Sequence, residues 1–458
     1  MDTGYQFKDG VYLVTGASRG AILDTNTGLV YSVNEQACMV CTYQSEDEPF
    51  WLILTSMGIA ELNEPACQQE LPQFTDENHL KFIWFEIVTN DCNQRCIHCY
   101  ADSMPKSDRK DNFSFKYPGG KESSPVATLP KKRMKYDDWL RAIKEAKELG
   151  CKSCQFIGGE PLLYSGENGE TVFDLADFAR QVGYSSIEIF TNATLLSPDE
   201  IHTMKELGVK VAVSLYSDDP VIHDSITRTP GSFVRTIKSL SMLKEYGVET
   251  RVETILLKSN QDTIESTLAF RKEMGYKGRR PDPLRPSGRG DSPINQPDNI
   301  ILIKYGFKLN PNFKANKEMI AHYRSGHSCL LGKIAITESG DVLPCIFSRN
   351  HILGNYLDSN SFQPILYSQD LQQIWHTTKD NVFVCQDCEY RYICFDCRPL
   401  AEAAAVGRAC FQTAPYPRCT YNPYTGQWGD GVWGVDMTGK PYYDQSLAED
   451  IKEVRQSL

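Results

Sequence analysis

Cys92, Cys96 and Cys99 lie on one short stretch at the spacing C-x3-C-x2-C. A second series runs through Cys329, Cys345, Cys385, Cys388, Cys394, Cys397, Cys410 and Cys419. Thiolates are soft ligands that suit iron–sulfur clusters and zinc. Sixteen cysteines in a chain of 458 residues without an export signal point to metal or catalysis rather than disulfides. Three cysteines on a tight loop can ligate three irons of a 4Fe–4S cube and leave the fourth iron open to an exogenous ligand. A structural zinc site wants four protein ligands, and His98 can supply the fourth, so zinc is the competing reading. Cys385 to Cys397, as C-x2-C-x5-C-x2-C, reads by itself as a zinc ribbon.

The elements around these cysteines set their geometry. Apolar runs at 82–88, 154–157, 187–190, 209–215 and 248–257 are short enough for buried parallel strands, and helical patterns separate them. One such helix carries Trp139, Ile143 and Ala146; another starts at Ser197-Pro198-Asp199-Glu200, with an N-cap, a first-turn proline and a capping-box Glu. Repeated βα units imply a parallel sheet curved into a whole or partial barrel. Ligand sites in such barrels lie at the carboxyl ends of strands, where the first cysteine loop falls; that placement favours the cluster over zinc.

With these residues in place, the chain resembles the radical SAM superfamily, whose signature is this cysteine spacing after the first strand of a partial βα barrel. Further segments agree. Gly158-Gly159-Glu160-Pro161, after the second strand, is similar to the family's GGEP segment at the methionyl amine of S-adenosylmethionine (SAM). Glycines permit close backbone approach, and a carboxylate complements an ammonium. Thr191-Asn192-Ala193-Thr194-Leu195 resembles the family's TNGTLL, with Ala193 in place of glycine. Ser214 ends the fourth strand where the family often places a ribose-binding serine, and His98 stands where backbone and ring lie near the adenine. The resemblance implies a 4Fe–4S cluster on Cys92, Cys96 and Cys99 that binds and cleaves SAM to a 5′-deoxyadenosyl radical. No catalytic side chain is identified.

The second series resembles the SPASM extension, which binds two auxiliary 4Fe–4S clusters on the pattern C-x(9–15)-G-x4-C, C-x2-C-x5-C-x3-C and a last cysteine. Cys329, Gly340 and Cys345 match the first part; the interval from Cys394 to Cys397 is one residue short. By resemblance, Cys385, Cys388, Cys394 and Cys419 hold an outer cluster, and Cys329, Cys345 and Cys397 an inner one. Cys419 is preferred to Cys410 because Pro417-Arg418-Cys419-Thr420-Tyr421 looks like the closing segment, though spacing does not decide it. The inner cluster then has an open iron, Cys410, or a non-thiolate ligand in its fourth place. Cys38, Cys41, Cys151 and Cys154 read as core thiols; Cys67 is uninformative.

Residues 20–34 resemble the strand-capturing recognition element of ribosomal-peptide maturases, which takes a leader peptide as an added strand. The organisation expected is a small α+β, winged-helix-like module at 1–78, a partial (βα)6 radical SAM core at 79–300, a SPASM domain at 301–425 and a tail at 426–458. Residues 104–135 read as a flexible insertion, and 277–299, with five prolines, as a basic linker without regular structure. Arg279, Arg280, Arg285 and Arg289 in that linker can meet carboxylates, and His223 and Arg228 can reach the pocket; a solvated loop is the plain alternative for both groups. The expected partners are a ribosomally made precursor peptide with a leader and a one-electron reductant of flavodoxin or ferredoxin type. The expected chemistry is a thioether or carbon–carbon crosslink. A sulfatase-maturase-like oxidation of a folded protein and a non-enzymatic zinc or peptide scaffold are the alternatives. The net charge of −11 argues against nucleic acid. The lack of a long apolar run argues against a membrane span, and the expected location is the cytoplasm.

Overall fold

The computed structural model describes residues 4–63, 69–74, 79–109, 132–276 and 279–458. Cys67 and most of the insertion expected at 104–135 lie outside the described residues. The chain forms two compact units, each built from discontinuous segments: residues 1–77, 307–331 and 373–458 in the first, and 78–306 with 332–372 in the second. These units cut across the four sequential domains expected above.

In the first unit, β1 (Tyr5–Phe7) pairs with β5 (Ala60–Leu62). Between them β2 (Val11–Thr15), β3 (Arg19–Asp24) and β4 (Leu29–Asn34) form an antiparallel sheet in the order β2-β3-β4. The β3–β4 turn is held by the Asp24 carboxylate, which accepts from Asn26 N–H and the Thr27 hydroxyl. Helices α1 (Glu35–Cys41) and α2 (Glu48–Ser56) follow, capped by Asn34 and Asp47. One sheet face packs Val11 and Ile22 with Val40, Trp51 and Leu54 of the helices. The other packs Tyr12, Val14, Ala21 and Leu23 against Ile320, Tyr390, Ile393 and Tyr421. The N-terminal module is thereby built onto the segments that carry the second cysteine series. Cys41 is buried in the first of these clusters and Cys38 is half-buried.

The second unit holds an eight-stranded sheet. Five parallel strands are β6 (Phe82–Val88), β7 (Ser153–Gly158), β8 (Ser186–Thr191), β9 (Lys210–Ser214) and β10 (Thr250–Glu253). They are separated by α3 (Tyr136–Glu148), α4 (Val172–Gln181), α5 (Pro198–Leu207), then α6 (Pro220–Thr227) with α7 (Ser232–Glu245). The helix start read at Ser197 is a reciprocal capping box with Glu200. Cys151 and Cys154 are buried core thiols at the start of β7.

Two features differ from the sequence reading. The apolar run at 248–257 splits: β11 (Ile255–Leu256) leaves the main sheet to pair with β12 (Asp282–Pro283) inside the presumed linker. The sixth parallel strand of the main sheet is β13 (Lys333–Thr337), which pairs beside β6, with β14 (Asp341–Leu343) and β15 (Gly354–Asn355) continuing antiparallel. Its apolar Ile334, Ala335 and Ile336 are fully buried, which places a strand read as part of the SPASM segment in the parallel core. The tail is also ordered. A hairpin of Val432–Val435 with Pro441–Asp444 and a helix at Ala448–Ser457 bury Trp433, Ile451 and Val454. Among the described residues no helix is long and apolar enough to cross a membrane.

Candidate active site and auxiliary cysteine cavity

The first cysteine loop leaves the carboxyl end of β6 and is gripped from both sides. On one side α6 accepts it: Arg95 N–H donates to Thr227 O at 3.0 Å and Ile97 N–H to Ile226 O at 3.0 Å. On the other, residues 285–295 close over it, and this corrects the reading of 277–299 as a linker without regular structure. Arg289, 4% exposed, donates Nε–H to Cys96 O at 2.7 Å and Nη2–H to Ser103 O at 2.7 Å. Its own N–H donates to Cys99 O at 3.0 Å, and Asn295 Nδ2 donates to Ile97 O at 2.8 Å. Gly288, at φ +53°, packs on the Cys99 and Tyr100 carbonyls where a Cβ would not fit. Pro283 ends β12 and Pro293 opens a tight 3-10 turn, so the prolines here shape a short strand and turns that the sequence reading took for lack of order. Arg279 and Arg280 are exposed, and Arg285 stacks on Phe347.

Cys92 is buried, and Cys96 and Cys99 are half-buried. Burial first, then the neighbouring thiols, pushes Cys92 well above the usual thiol range and Cys96 up to about 12. Thiols so placed ionise only against a cation, which is the condition a metal cluster meets. Among the described residues no three His, Cys, Asp or Glu side chains gather closely enough for a single metal ion. Three thiolates on one loop are a soft donor set of the kind that iron–sulfur clusters take.

The remaining motif residues brace the strand ends around this loop. Gly158 and Gly159 lie where a Cβ would collide with the backbone of Val88 and Asp91, so the second strand can press against the start of the cysteine loop. Glu160 is fully buried. Its carboxylate accepts from the Thr191 hydroxyl at 2.6 Å, from Asn192 N–H at 2.9 Å and from Leu162 N–H at 3.2 Å. Burial raises its pKa to about 7. Asn192 Nδ2 donates to Asn93 Oδ1 at 2.8 Å beside Cys92. Ala193 takes φ +59°, the left-handed conformation that explains glycine at this place in the family segment.

Tyr216 was missed in the sequence. Its ring lies edge-on to His98 at 4.7 Å and 5.4 Å from His223, and its hydroxyl interacts with Ser214 and Cys96. Burial holds His98 neutral, with its pKa down to about 3. His223 lies behind Tyr216, accepting its N–H on Nδ1 at 3.3 Å, and Arg228 is an exposed helix terminus. Glu86 on β6 was also missed: fully buried, it pairs bidentately with Arg349 at 2.8 and 2.9 Å. Arg251, Glu188 and Glu253 form a second charged strip on the same sheet. Neither leaves a one-dimensional signal beyond a charged residue in an apolar run.

In the first unit Cys385, Cys388, Cys394 and Cys419 line one cavity, together with Lys308, Lys379, Tyr416 and Trp433. Cys410 does not line it; it is exposed, with Sγ 3.2 Å from the Thr413 hydroxyl. Burial opposes ionisation of Cys394, but the Lys308 and Lys379 ammoniums outweigh it and bring that thiol below its ordinary range. Burial pushes Cys419 up to about 11. Cys329 and Cys397 are half-buried in this unit, and Cys345 belongs to the second. His327 connects the Cys329 turn to the block: Nδ1 accepts the N–H groups of Cys329 and Leu330, and Nε2 lies 2.8 Å from Asp396 Oδ1.

Residues 87–271 match the family model for the radical SAM superfamily, and residues 329–389 match that for an iron–sulfur cluster-binding domain, SPASM. Curated relatives include an AdoMet-dependent heme synthase of Methanosarcina barkeri, 23% identical over 73% of this chain and 95% of that protein. Another is the antilisterial bacteriocin subtilosin biosynthesis protein AlbA of Bacillus subtilis, 23% identical over 74% of this chain and 73% of that one. Solved structures of similar fold include SuiB of Streptococcus suis, with a TM-score of 0.53 at 13% identity over 90% of this chain and 99% of that one. The enzyme anSMEcpe with bound AdoMet has a TM-score of 0.52 at 16% identity over 75% and 93%.

Proposed function

The chain is a radical SAM enzyme with a SPASM iron–sulfur domain, and from that premise we propose that it installs a thioether or carbon–carbon crosslink in a ribosomally made precursor peptide. The observation that carries the reading is the N-terminal sheet. β4 is one of its two outer strands, among the described residues no strand pairs with its far edge, and the sheet is built onto the segment bearing Cys388 and Cys394. An unpaired edge is a template for an added strand, with main-chain hydrogen bonds for affinity and side-chain pockets for register. The likeness to AlbA, whose name records bacteriocin biosynthesis, supports a peptide substrate.

On this reading Cys92, Cys96 and Cys99 hold the SAM-binding cluster, and Cys385, Cys388, Cys394 and Cys419 hold the outer auxiliary one. Cys329 and Cys397 of the first unit would contribute to the inner cluster. Bound there, the cluster and SAM would supply the radical chemistry that opens a C–H bond of the peptide. The protein contributes position and exclusion of water. Arg289 and α6 fix the cysteine loop, Glu160 ties the second strand end to the third, and His98, Tyr216 and Ser214 offer neutral surfaces for the nucleoside. The one-electron donor is a flavodoxin or ferredoxin.

Anaerobically reconstituted protein, given SAM, a strong reductant and candidate precursor peptides, is expected to remove two hydrogens from one of them. Unchanged masses across peptides that bind the chain would sink the crosslinking assignment. Backbone N-methylation of the synthetic leader should weaken binding at alternate residues only, as strand pairing requires. A uniform response to methylation would refute leader capture by β4.

A further inference from the structure

Two lysines reach into the four-cysteine cavity, and neither is required to ligate anything there. Lys308 Nζ lies 3.0 Å from Cys394 Sγ and also donates to Phe395 O. It stands over the rings of Phe395 and Tyr416 at 4.9 and 4.5 Å. Lys379, 8% exposed, places Nζ 3.7 Å from Cys385 Sγ. The nearby carboxylate of Asp396 is 3.9 Å from Lys379 and already holds Arg398 and His327. Lys379 is buried and Lys308 half-buried. Taking an ammonium out of water is costly unless something compensates its charge, and aromatic faces compensate only part of it. The sulfurs of Cys394 and Cys385 are the remaining partners at contact distance.

We infer that Lys308 and Lys379 are potential-setting residues that hold the outer auxiliary cluster at a higher reduction potential than its four thiolates alone would give. This rests on the assignment of Cys385, Cys388, Cys394 and Cys419 to that cluster. Each added electron makes a cluster more negative. A fixed cation and N–H donors on its sulfurs stabilise the reduced state more than the oxidised one, the more so where water is excluded. The consequence is a cluster that accepts an electron readily and holds it. Lys308 donates to a sulfur at hydrogen-bond distance and Lys379 stands farther off, so Lys308 carries the larger share.

The test uses the full-length chain with Cys92→Ala, Cys96→Ala and Cys99→Ala, so that only auxiliary clusters remain, reconstituted anaerobically and titrated by redox potentiometry with EPR detection. Combined Lys308→Met and Lys379→Met substitution is expected to move one of the two transitions to more negative potential. The expected change is at least tenfold in the reduced-to-oxidised ratio at fixed poise, about 59 mV for one electron. The other transition should stay in place, Lys308→Arg should keep most of the wild-type value, and Lys317→Met, an exposed change of the same charge, should move neither. Both transitions unmoved with iron retained, or an equal shift from Lys317→Met, overturns the inference. If the Met variants lose iron, Lys308→Gln and Lys379→Gln decide in the same way. Iron lost with Met and Gln but restored by Arg supports a role for the charge, and iron lost with all three refutes tuning. A chain with both lysines intact that binds no auxiliary iron defeats the cluster assignment instead.

Discussion

Asp396 Oδ1 sits 2.8 Å from His327 Nε2, and its second oxygen takes the Arg398 guanidinium, all three residues being 3% exposed or less. Because His327 Nδ1 accepts two backbone N–H groups, its proton is on Nε2 and the ring is a neutral donor to the aspartate. Asp396 stands between Cys394 and Cys397, so one carboxylate fixes the cysteine block, the Cys329 turn and the helix that Arg398 opens. Asp396→Ala leaves buried cations uncompensated and should destabilise the first unit by about 3–5 kcal/mol. Asp396→Asn, which still accepts from His327, should cost less. Anaerobic denaturant unfolding checks both; an Ala variant within about 1 kcal/mol of the unaltered chain contradicts this role.

Spacing alone does not separate Cys419 from Cys410, but their surroundings in space do. Cys419 shares the cavity with Cys385, Cys388 and Cys394, whereas Cys410 is exposed and bonded to Thr413. Cys419→Ala is therefore expected to lose the iron of one cube, about four atoms per chain, and Cys410→Ala to lose none from this cavity. Iron analysis with EPR of the reduced protein separates the outcomes, and the reverse pattern would exchange their roles.

Arg289 acts on the first cysteine loop through the Cys96 and Ser103 carbonyl oxygens, with the Asp102 carboxylate 3.9 Å from its Nη1. Arg289→Met removes the donors to Cys96 O and Ser103 O and leaves buried acceptors unpaired, a loss of about 1–3 kcal/mol for each unmet group. The loop should lose its iron selectively and 5′-deoxyadenosine formation should fall by about 10–100-fold, the range for supports around metal ligands. Arg289→Lys, which cannot reproduce the fork, should rescue only weakly. Full iron occupancy in the Met variant would show that α6, Asn295 and the main chain at 288–289 hold the loop without the guanidinium.

These cases divide what was legible in the sequence from what was not. Cys92, Cys96 and Cys99 are contiguous and follow an apolar run, so side-chain chemistry and strand position could be read together. The same holds for Ser197 and Glu200, whose reciprocal capping is a local rule. Arg289 lies 193 positions from its partner Cys96 and donates to main-chain carbonyls, which have no residue identity to betray it. The prolines around it were read as lack of structure because proline forbids helix interior and central strand; it also opens tight turns, as Pro293 does here. Ile334 to Ile336 form an apolar run like those of the barrel, but nothing in one dimension says that it pairs beside β6. Glu160 was read as a contact for an ammonium. Its place among Thr191, Asn192 and Leu162 gives it a bracing duty that a motif cannot reveal.

His223 gives the fold a dependence on acid. Burial holds its imidazole neutral and lowers its pKa to about 4, from an ordinary value of 6.5. Between those values the unfolded chain binds a proton that the folded chain does not. The contribution is complete above pH 6.5 and is lost as pH falls toward 4, at about 1.4 kcal/mol per pH unit for one proton. His223→Asn keeps an acceptor for the Tyr216 N–H but cannot titrate. The stability difference between the two proteins should therefore change in favour of the Asn variant as pH is lowered from about 7 to about 5, whatever its sign at the start. Denaturant midpoints across that range measure it, and parallel curves would mean that His223 is protonated in the fold and that water or a carboxylate reaches its Nε2.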